Sequence, residues 1–271
     1  MPDSKRFGSL PIGHPRMLPP TDTAIHTDST GLTAGAVWIP VRDGELPAYR
    51  AMPASGGPHP ILLVVQEVFG ADEYLQDVCR RAAHAGYVAI APELYARQGQ
   101  PGQVASREDL FKIVLAVPDA QVLADLDACV AWATTSGNGD GNRVAITGFC
   151  WGGRIVWLYA AHNPALKAGV AWYGRLTGDT DPTHPTHPVD VAGALHAPVL
   201  GLYGATDQSI PLDTVEQMKT KLAAAKSLSE FVVYDGAPHA FHADYRASYK
   251  RDAALDGWAR MLAWLRRHGA A

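Results

Sequence analysis

Four side chains in this sequence have the chemistry to form and break an acyl bond if the fold brings them together: Cys150, Asp207, His239 and Glu67. Cys150 stands in Gly148-Phe149-Cys150-Trp151-Gly152-Gly153, directly after the apolar run Val144-Ala145-Ile146-Thr147. A strand that stops at a small residue, presents one nucleophile and restarts as a helix has the Gly-x-Nuc-x-Gly form of a nucleophile elbow, here with a thiol. The glycines suit a sharp turn at which a Cβ on either side would meet the adjoining strand and helix. A helix over Arg154 to Ala161 would aim its N-terminus at Cys150, where partial positive charge favours a thiolate or an oxyanion. A free thiol is mostly protonated at neutral pH, so such a site also needs a base. By itself the pattern has an equally ready structural reading, because free cysteine is commonly a small buried hydrophobe.

The other candidates follow other apolar runs. Asp207 closes Gly204-Ala205-Thr206-Asp207 after Val199 to Gly204, and His239 closes Asp235-Gly236-Ala237-Pro238-His239 after Phe231 to Tyr234. Glu67 follows Ile61 to Gln66. In open α/β sheets chemistry collects at the carboxyl ends of strands, where these positions lie. Each has a structural alternative. Asp207 suits a cap on the turn before Pro211, His239 suits a satisfied loop histidine, and Glu67 suits a helix cap or an arginine pair. His242 competes with His239, which is preferred because it stands sooner after its strand.

The elements that must hold these residues are legible in the apolar pattern. Ala36 to Val41 and Leu46 to Met52 flank an Asp43-Gly44 turn signal, and Pro40 and Pro47 suit antiparallel edge strands. From Pro60 onward, continuous apolar runs alternate with helical spacing, as buried parallel strands and their crossovers do. Further strands are expected over Tyr87 to Pro92, Arg143 to Phe149 and Lys167 to Tyr173. Helices are expected over Glu73 to Ala85, within Ser106 to Ala116, and over Asp119 to Thr134, Pro211 to Ala225 and Tyr245 to His268. The result is an α/β fold with a mostly parallel central sheet of about eight strands and helices on both faces. The order nucleophile, acid, histidine is that of the α/β-hydrolase fold. Residues 35–271 read as a single domain, and residues 1–34, rich in Pro, Gly, Thr, Asp and His, as an extended or flexible leader.

Composition bounds the function. A chain of 271 residues with 47% hydrophobic and 18% charged residues suits one large core. A formal charge of -4 without a basic stripe gives no reason to expect nucleic acid. No run approaches the roughly 18 apolar residues of a membrane span, and the first residues lack a signal peptide's apolar core. Cys79, Cys129 and Cys150 are an odd set without metal-ligand spacing, which favours reduced thiols and a cytoplasmic location. His184, His187 and His196 lie in a Pro-rich stretch with no Cys or carboxylate at ligand spacing on a rigid element, so neither a metal nor another cofactor is expected.

Together the motifs resemble the dienelactone hydrolases (carboxymethylenebutenolidases), a branch of the α/β-hydrolases. The matching stretches are Gln66-Glu67-Val68-Phe69-Gly70, Ala91-Pro92-Glu93-Leu94-Tyr95-Ala96-Arg97, Gly148 to Gly153, Ala171-Trp172-Tyr173-Gly174, Gly204 to Asp207 and His239-Ala240-Phe241. The resemblance runs from about Pro60 to the C-terminus. It implies Cys150 as nucleophile, His239 as base, Asp207 as its orienting acid and Glu67 as a carboxylate that holds or activates the thiol. It implies backbone amides of Trp151 and Val68 as the oxyanion hole, Arg97 as binder of a substrate carboxylate, and Tyr173 as a pocket wall. Where the family's best-known members carry a second carboxylate-binding arginine, this chain has Ala243, with Arg246 three positions on as its substitute. The implied substrate is a small lactone or activated ester, carboxylate-bearing ones included, opened through a thioester. The alternatives are an esterase or thioesterase for less anionic substrates, and a thiol redox or ligand-binding protein; no Cys-x-x-Cys pair supports the last. The oligomeric state is not legible.

Overall fold

The structure, a computed structural model, describes residues 5–10 and 22–271. Residues 1–4 and 11–21 of the expected leader lie outside the described residues. β1 (Leu32–Val41) and β2 (Gly44–Pro53) form an antiparallel hairpin closed by Val41 opposite Gly44. β3 (His59–Val65), β4 (Val88–Pro92), β5 (Gly139–Phe149), β6 (Leu166–Trp172), β7 (Val199–Gly204) and β8 (Glu230–Tyr234) complete the sheet. Its order is β1-β2-β4-β3-β5-β6-β7-β8, with every pair from β4 to β8 parallel and β2 antiparallel to both neighbours. Pro40 sits on the outermost strand; Pro47 is one strand in, but pairing between β2 and β4 begins only at Ala48. That spares Pro47 the ladder donor it lacks.

Residues 60–65 of β3 are all buried although successive side chains point to opposite faces, so helices cover the sheet on both sides. The helices are α1 (Glu73–His84), α2 (Arg107–Leu115), α3 (Asp119–Ser136), α4 (Trp151–His162), the single turn α5 (Pro188–Val191), α6 (Leu212–Ala224) and α7 (Arg251–Arg267). Asp72 and Ser106 cap α1 and α2 by accepting from the amides of Leu75 and Asp109. This is the mostly parallel α/β arrangement expected from the apolar pattern, and of the α/β-hydrolase type implied by the order of Cys150, Asp207 and His239. No helix among the described residues is long and apolar enough to cross a membrane.

One boundary is corrected. The last helix starts at Arg251, not Tyr245, because residues 241–249 form successive turns closed by Ala243 N to Ala240 O, Arg246 N to Ala243 O and Lys250 N to Phe241 O. Those turns carry Tyr245 and Arg246 inward, where a continuous helix would have swept them around its axis. The strand order switches sides at β3, with β4 added on one side of it and β5 on the other, and at such a switch point the ends of parallel strands open a crevice.

Candidate active site

Cys150 sits at the sharp turn between β5 and α4 with φ 55° and ψ -112°, a strained conformation for a residue with a Cβ. Its amide donates to Trp172 O at 3.0 Å, and its carbonyl accepts from Gly153 N at 3.0 Å and Arg154 N at 3.3 Å. A Cβ on Gly148 would run into the Gly152 carbonyl, and one on Gly152 into the Val65 carbonyl. The glycines thus permit the close approach that aims the thiol out of the sheet. Tyr173 (φ 39°) and Ala240 (φ 58°) are also left-handed, so three strained residues gather at one rim.

His239 Nε2 lies 3.2 Å from Cys150 Sγ, and His239 Nδ1 lies 2.7 Å from Asp207 Oδ2. Sulfur, imidazole and carboxylate therefore form one continuous relay. The Asp207 side chain is almost fully buried, which strengthens its hold on the ring. Asp207 also serves the structural role expected of it: its Oδ1 accepts from the amides of Ser209 and Ile210, fixing the turn, while Oδ2 holds the ring. Burial works against charge on His239, but the hydrogen bonds to Asp207 and Cys150 outweigh it and push its pKa up to about 10. Both hydrogen-bond partners therefore favour a proton on the ring.

His242 is excluded from that relay. It is buried, its Nδ1 is 2.6 Å from the Tyr74 hydroxyl, and its ring packs against Phe149, Trp172 and Trp258. Burial, and then the Arg81 charge, hold its pKa well below the ordinary histidine range, so it stays neutral. The loop bearing both histidines is braced from outside. Thr23 Oγ1 donates to Asp244 O at 2.6 Å, and the Ile25 amide to Asp244 Oδ2 at 3.2 Å. Arg80 Nε donates to Thr27 O at 2.7 Å. The described end of the leader is thereby joined to the site's supporting wall.

Glu67 ends the run after β3 and is buried. Tyr245 donates to its Oε2 at 3.0 Å, and its Oε1 has no hydrogen-bond partner among the described residues. The expected contact between this carboxylate and the thiol is therefore not made in this arrangement; the sulfur faces His239. The Arg246 guanidinium lies over Phe69 at 4.9 Å and Tyr245 at 5.7 Å. Burial opposes its charge, and the nearby Glu67 carboxylate more than restores it, which leaves Arg246 above the ordinary arginine range. A cavity of about 830 Å³ opens before Cys150; Val68, Trp151, Tyr173, His239 and Arg246 line it. Trp151 is the first residue of α4, so its amide has no partner within the helix and is free to meet an oxyanion.

Arg97 is a correction. It does not line the cavity: its guanidinium is held between Asp43 of the hairpin turn and Asp125 of α3, at 2.7 Å from each, and lies over the Phe7 ring at 4.5 Å. Five N–H donors facing two carboxylates leave little to offer a ligand. Arg154 is structural too, but buried: it forms a two-point pair with Asp119 and donates to His187 Nδ1 at 3.3 Å. His184 and His187 line the far side of the cavity with their ring nitrogens engaged by Asp181 and Val117 O, and by Arg154 and Asp179 O, respectively. No cluster among the described residues could hold a metal ion. Cys79 and Cys129 are fully buried and burial raises both thiols, so neither is a thiolate at neutral pH.

Sequence reasoning missed the wall that α2 contributes, where Leu110, Phe111, Val114 and Leu115 face the cavity. Their i, i+4 spacing was visible, but which surface they face was not. It also missed the Tyr245–Glu67 bond, because residue 245 was placed inside a helix.

A family model described as the dienelactone hydrolase family matches residues 46–269. A Methylorubrum extorquens protein provisionally named a carboxymethylenebutenolidase is 58% identical over 250 residues, which is 92% of this chain and 86% of that protein. A Bradyrhizobium protein named a probable 2-oxo-3-(5-oxofuran-2-ylidene)propanoate lactonase is 31% identical over 225 residues, with 82% and 89% covered. The crystal structure of a Klebsiella pneumoniae protein provisionally described as a dienelactone hydrolase superposes with a TM-score of 0.85 at 58% identity, covering 87% of this chain and 99% of that one.

Proposed function

The chain belongs to the dienelactone hydrolase family and is a carboxylic ester hydrolase, and from that premise we propose that it opens lactones or activated esters through a thioester on Cys150. The observation that carries this reading is the unbroken relay from Cys150 Sγ through His239 to Asp207. In it, the thiol proton resides on His239 and the sulfur attacks the substrate carbonyl. The carbonyl oxygen takes up the negative charge, stabilised by the amides of Trp151 and Val68. Collapse of that intermediate breaks the ester C–O bond; the departing alkoxide or enolate takes the proton from His239 and leaves a thioester. Neutral His239 then draws a proton from water, the hydroxide attacks the thioester, and Cys150 departs as thiolate with the proton on His239. Glu67, with one oxygen unfilled, balances Arg246 when the cavity is empty, and becomes a second acceptor for the thiol proton only if the sulfur turns away from His239.

Arg246 takes a substrate carboxylate in this reading, in place of Arg97, and Tyr173 lines the reacting end. The name of the Bradyrhizobium relative, a propanoate-bearing lactone, fits such an anion. Engagement of Arg97 by Asp43 and Asp125 favours a second reading, an esterase less demanding of an anionic substrate. We also place the protein in the cytoplasm, on its three free thiols, and treat the chain from β1 onward, which starts three residues before the expected boundary at 35, as one catalytic domain. The test is intact-mass and peptide spectrometry after rapid acid quenching with a slow ester. An acyl mass on the Cys150 peptide, absent in Cys150→Ala, supports the thioester. Full turnover by Cys150→Ala overturns it.

A further inference from the structure

We propose that the cavity takes, beyond the reacting carbonyl, an extended apolar arm of the substrate laid along α2; this deepens the Cys150 hydrolase reading and rests on it. A surface helix ordinarily turns its apolar stripe to the core. The stripe on α2 divides. Leu110 and Val114 are buried at 5% and 4% exposure, whereas Phe111 and Leu115, one residue further round, are 36% and 63% exposed, and all four line the cavity. Only five large hydrophobic side chains are exposed among the described residues, and two of them sit together at this rim. The polar face of the same helix is occupied with itself: Lys112 Nζ lies 3.0 Å from both Glu108 and Asp109. Val68, Phe69, Trp151 and Ile210 add further apolar lining.

Size points the same way. Pockets for drug-sized ligands span about 300–1,000 Å³, and 830 Å³ lies in the upper part of that range, far more than a single-ring lactone fills. Such a ligand would leave Phe111 and Leu115 in water, whereas an alkyl or aryl arm would cover them. The carbonyl would sit at Cys150, any carboxylate at Arg246, and the apolar arm against α2.

The test uses the full chain and nitrophenyl esters from acetate to octanoate. Burial of each added methylene predicts a rise in kcat/KM of about twofold to fourfold per carbon for the wild type, until the cavity is filled. In the Phe111→Ser, Leu115→Ser double variant the octanoate-to-acetate ratio of kcat/KM falls about tenfold or more, with the change chiefly in KM. Its melting temperature, read alongside, establishes that the variant is folded; if it is not, Leu115→Ser alone, at the more exposed position, must still lower the ratio. A wild-type series that is flat or falls beyond acetate, or a ratio that folded variants leave unchanged, overturns the proposal. Ester turnover that survives Cys150→Ala overturns the hydrolase reading instead, and the arm site with it.

Discussion

Arg97 and Arg246 are both arginines near the carboxyl ends of strands, and the protein treats them oppositely. Around Arg97 it has supplied Asp43, Asp125 and the Phe7 ring, so the cation is neutralised at home. Around Arg246 it has supplied two aromatic faces and, at longer range, one carboxylate. The first arrangement fastens the hairpin to α3; the second leaves a charge facing the cavity. An arginine serves a ligand only where the fold has left its donors open. The relay of Cys150, His239 and Asp207 lies on the open side of this contrast, and variants on the two sides should separate activity from stability.

The largest effect is expected at the relay. Cys150→Ala should lower kcat by about 10⁴-fold or more, since on the proposed mechanism it removes the nucleophile and leaves only binding and oxyanion stabilisation. Steady-state kinetics at saturating ester check this, with Cys79→Ala and Cys129→Ala as controls that retain the active-site thiol. Asp207→Asn should cost roughly 10³-fold to 10⁴-fold, because the ring loses both its orientation and its charge partner. As that carboxylate also fixes the Ser209 and Ile210 amides, folding must be verified by melting.

The pH behaviour of the relay sharpens the comparison. A histidine whose folded pKa is raised contributes stability that is complete below its unfolded value near 6.5 and is lost as pH rises through the folded value. For His239 that window runs from about 6.5 to about 10. Imidazole NMR should show one ring still protonated at pH 8, whose titration moves to lower pH in Cys150→Ala, since one of its two supporting partners is gone. An unchanged titration in that variant would mean that the sulfur bears no negative charge beside the ring.

How much of this was legible follows the reach of each signal. The elbow glycines and the order of Cys150, Asp207 and His239 were readable because local sterics and strand-end positions dictate them. His239 was preferred over His242 from its place after β8, and the geometry agrees. Arg97 misled because its partners come from residues 54 positions before it and 28 after it, and no motif records such partners. The apolar pattern predicts helix over residues 245–250, whereas the tertiary pull of Glu67 on Tyr245 accompanies a run of turns there. The proposed leader was separable by composition, yet its contacts with Asp244 could not be seen, because backbone donors such as the Ile25 amide carry no sequence signature.

On the open side, Arg246→Ala should raise KM about tenfold to a hundredfold for a carboxylate-bearing lactone and change it little for a neutral ester, as loss of a partly buried charge-assisted contact predicts. Equal losses on both substrates would show that Arg246 acts through the local fold and not on the anion.

The smallest effect on turnover belongs to the closed side. Arg97→Ala should leave kcat/KM for both substrates within about twofold while costing about 2–4 kcal/mol of stability, because it strands a buried carboxylate. Thermal melting should register that as a fall of several degrees. The pH dependence identifies the cause. Burial holds Asp125 above the ordinary carboxylate range even beside Arg97, which works to lower it. Without the arginine its folded pKa rises further, so the folded variant binds a proton more readily than the unfolded chain does. Lowering the pH toward that value neutralises the stranded carboxylate, and the stability deficit should therefore shrink between pH 8 and pH 5. A deficit that is the same at both values would place the loss in Arg97's packing on Phe7 and not in its charge. A loss of activity confined to anionic lactones would return Arg97 to the substrate and erase the contrast between the two arginines.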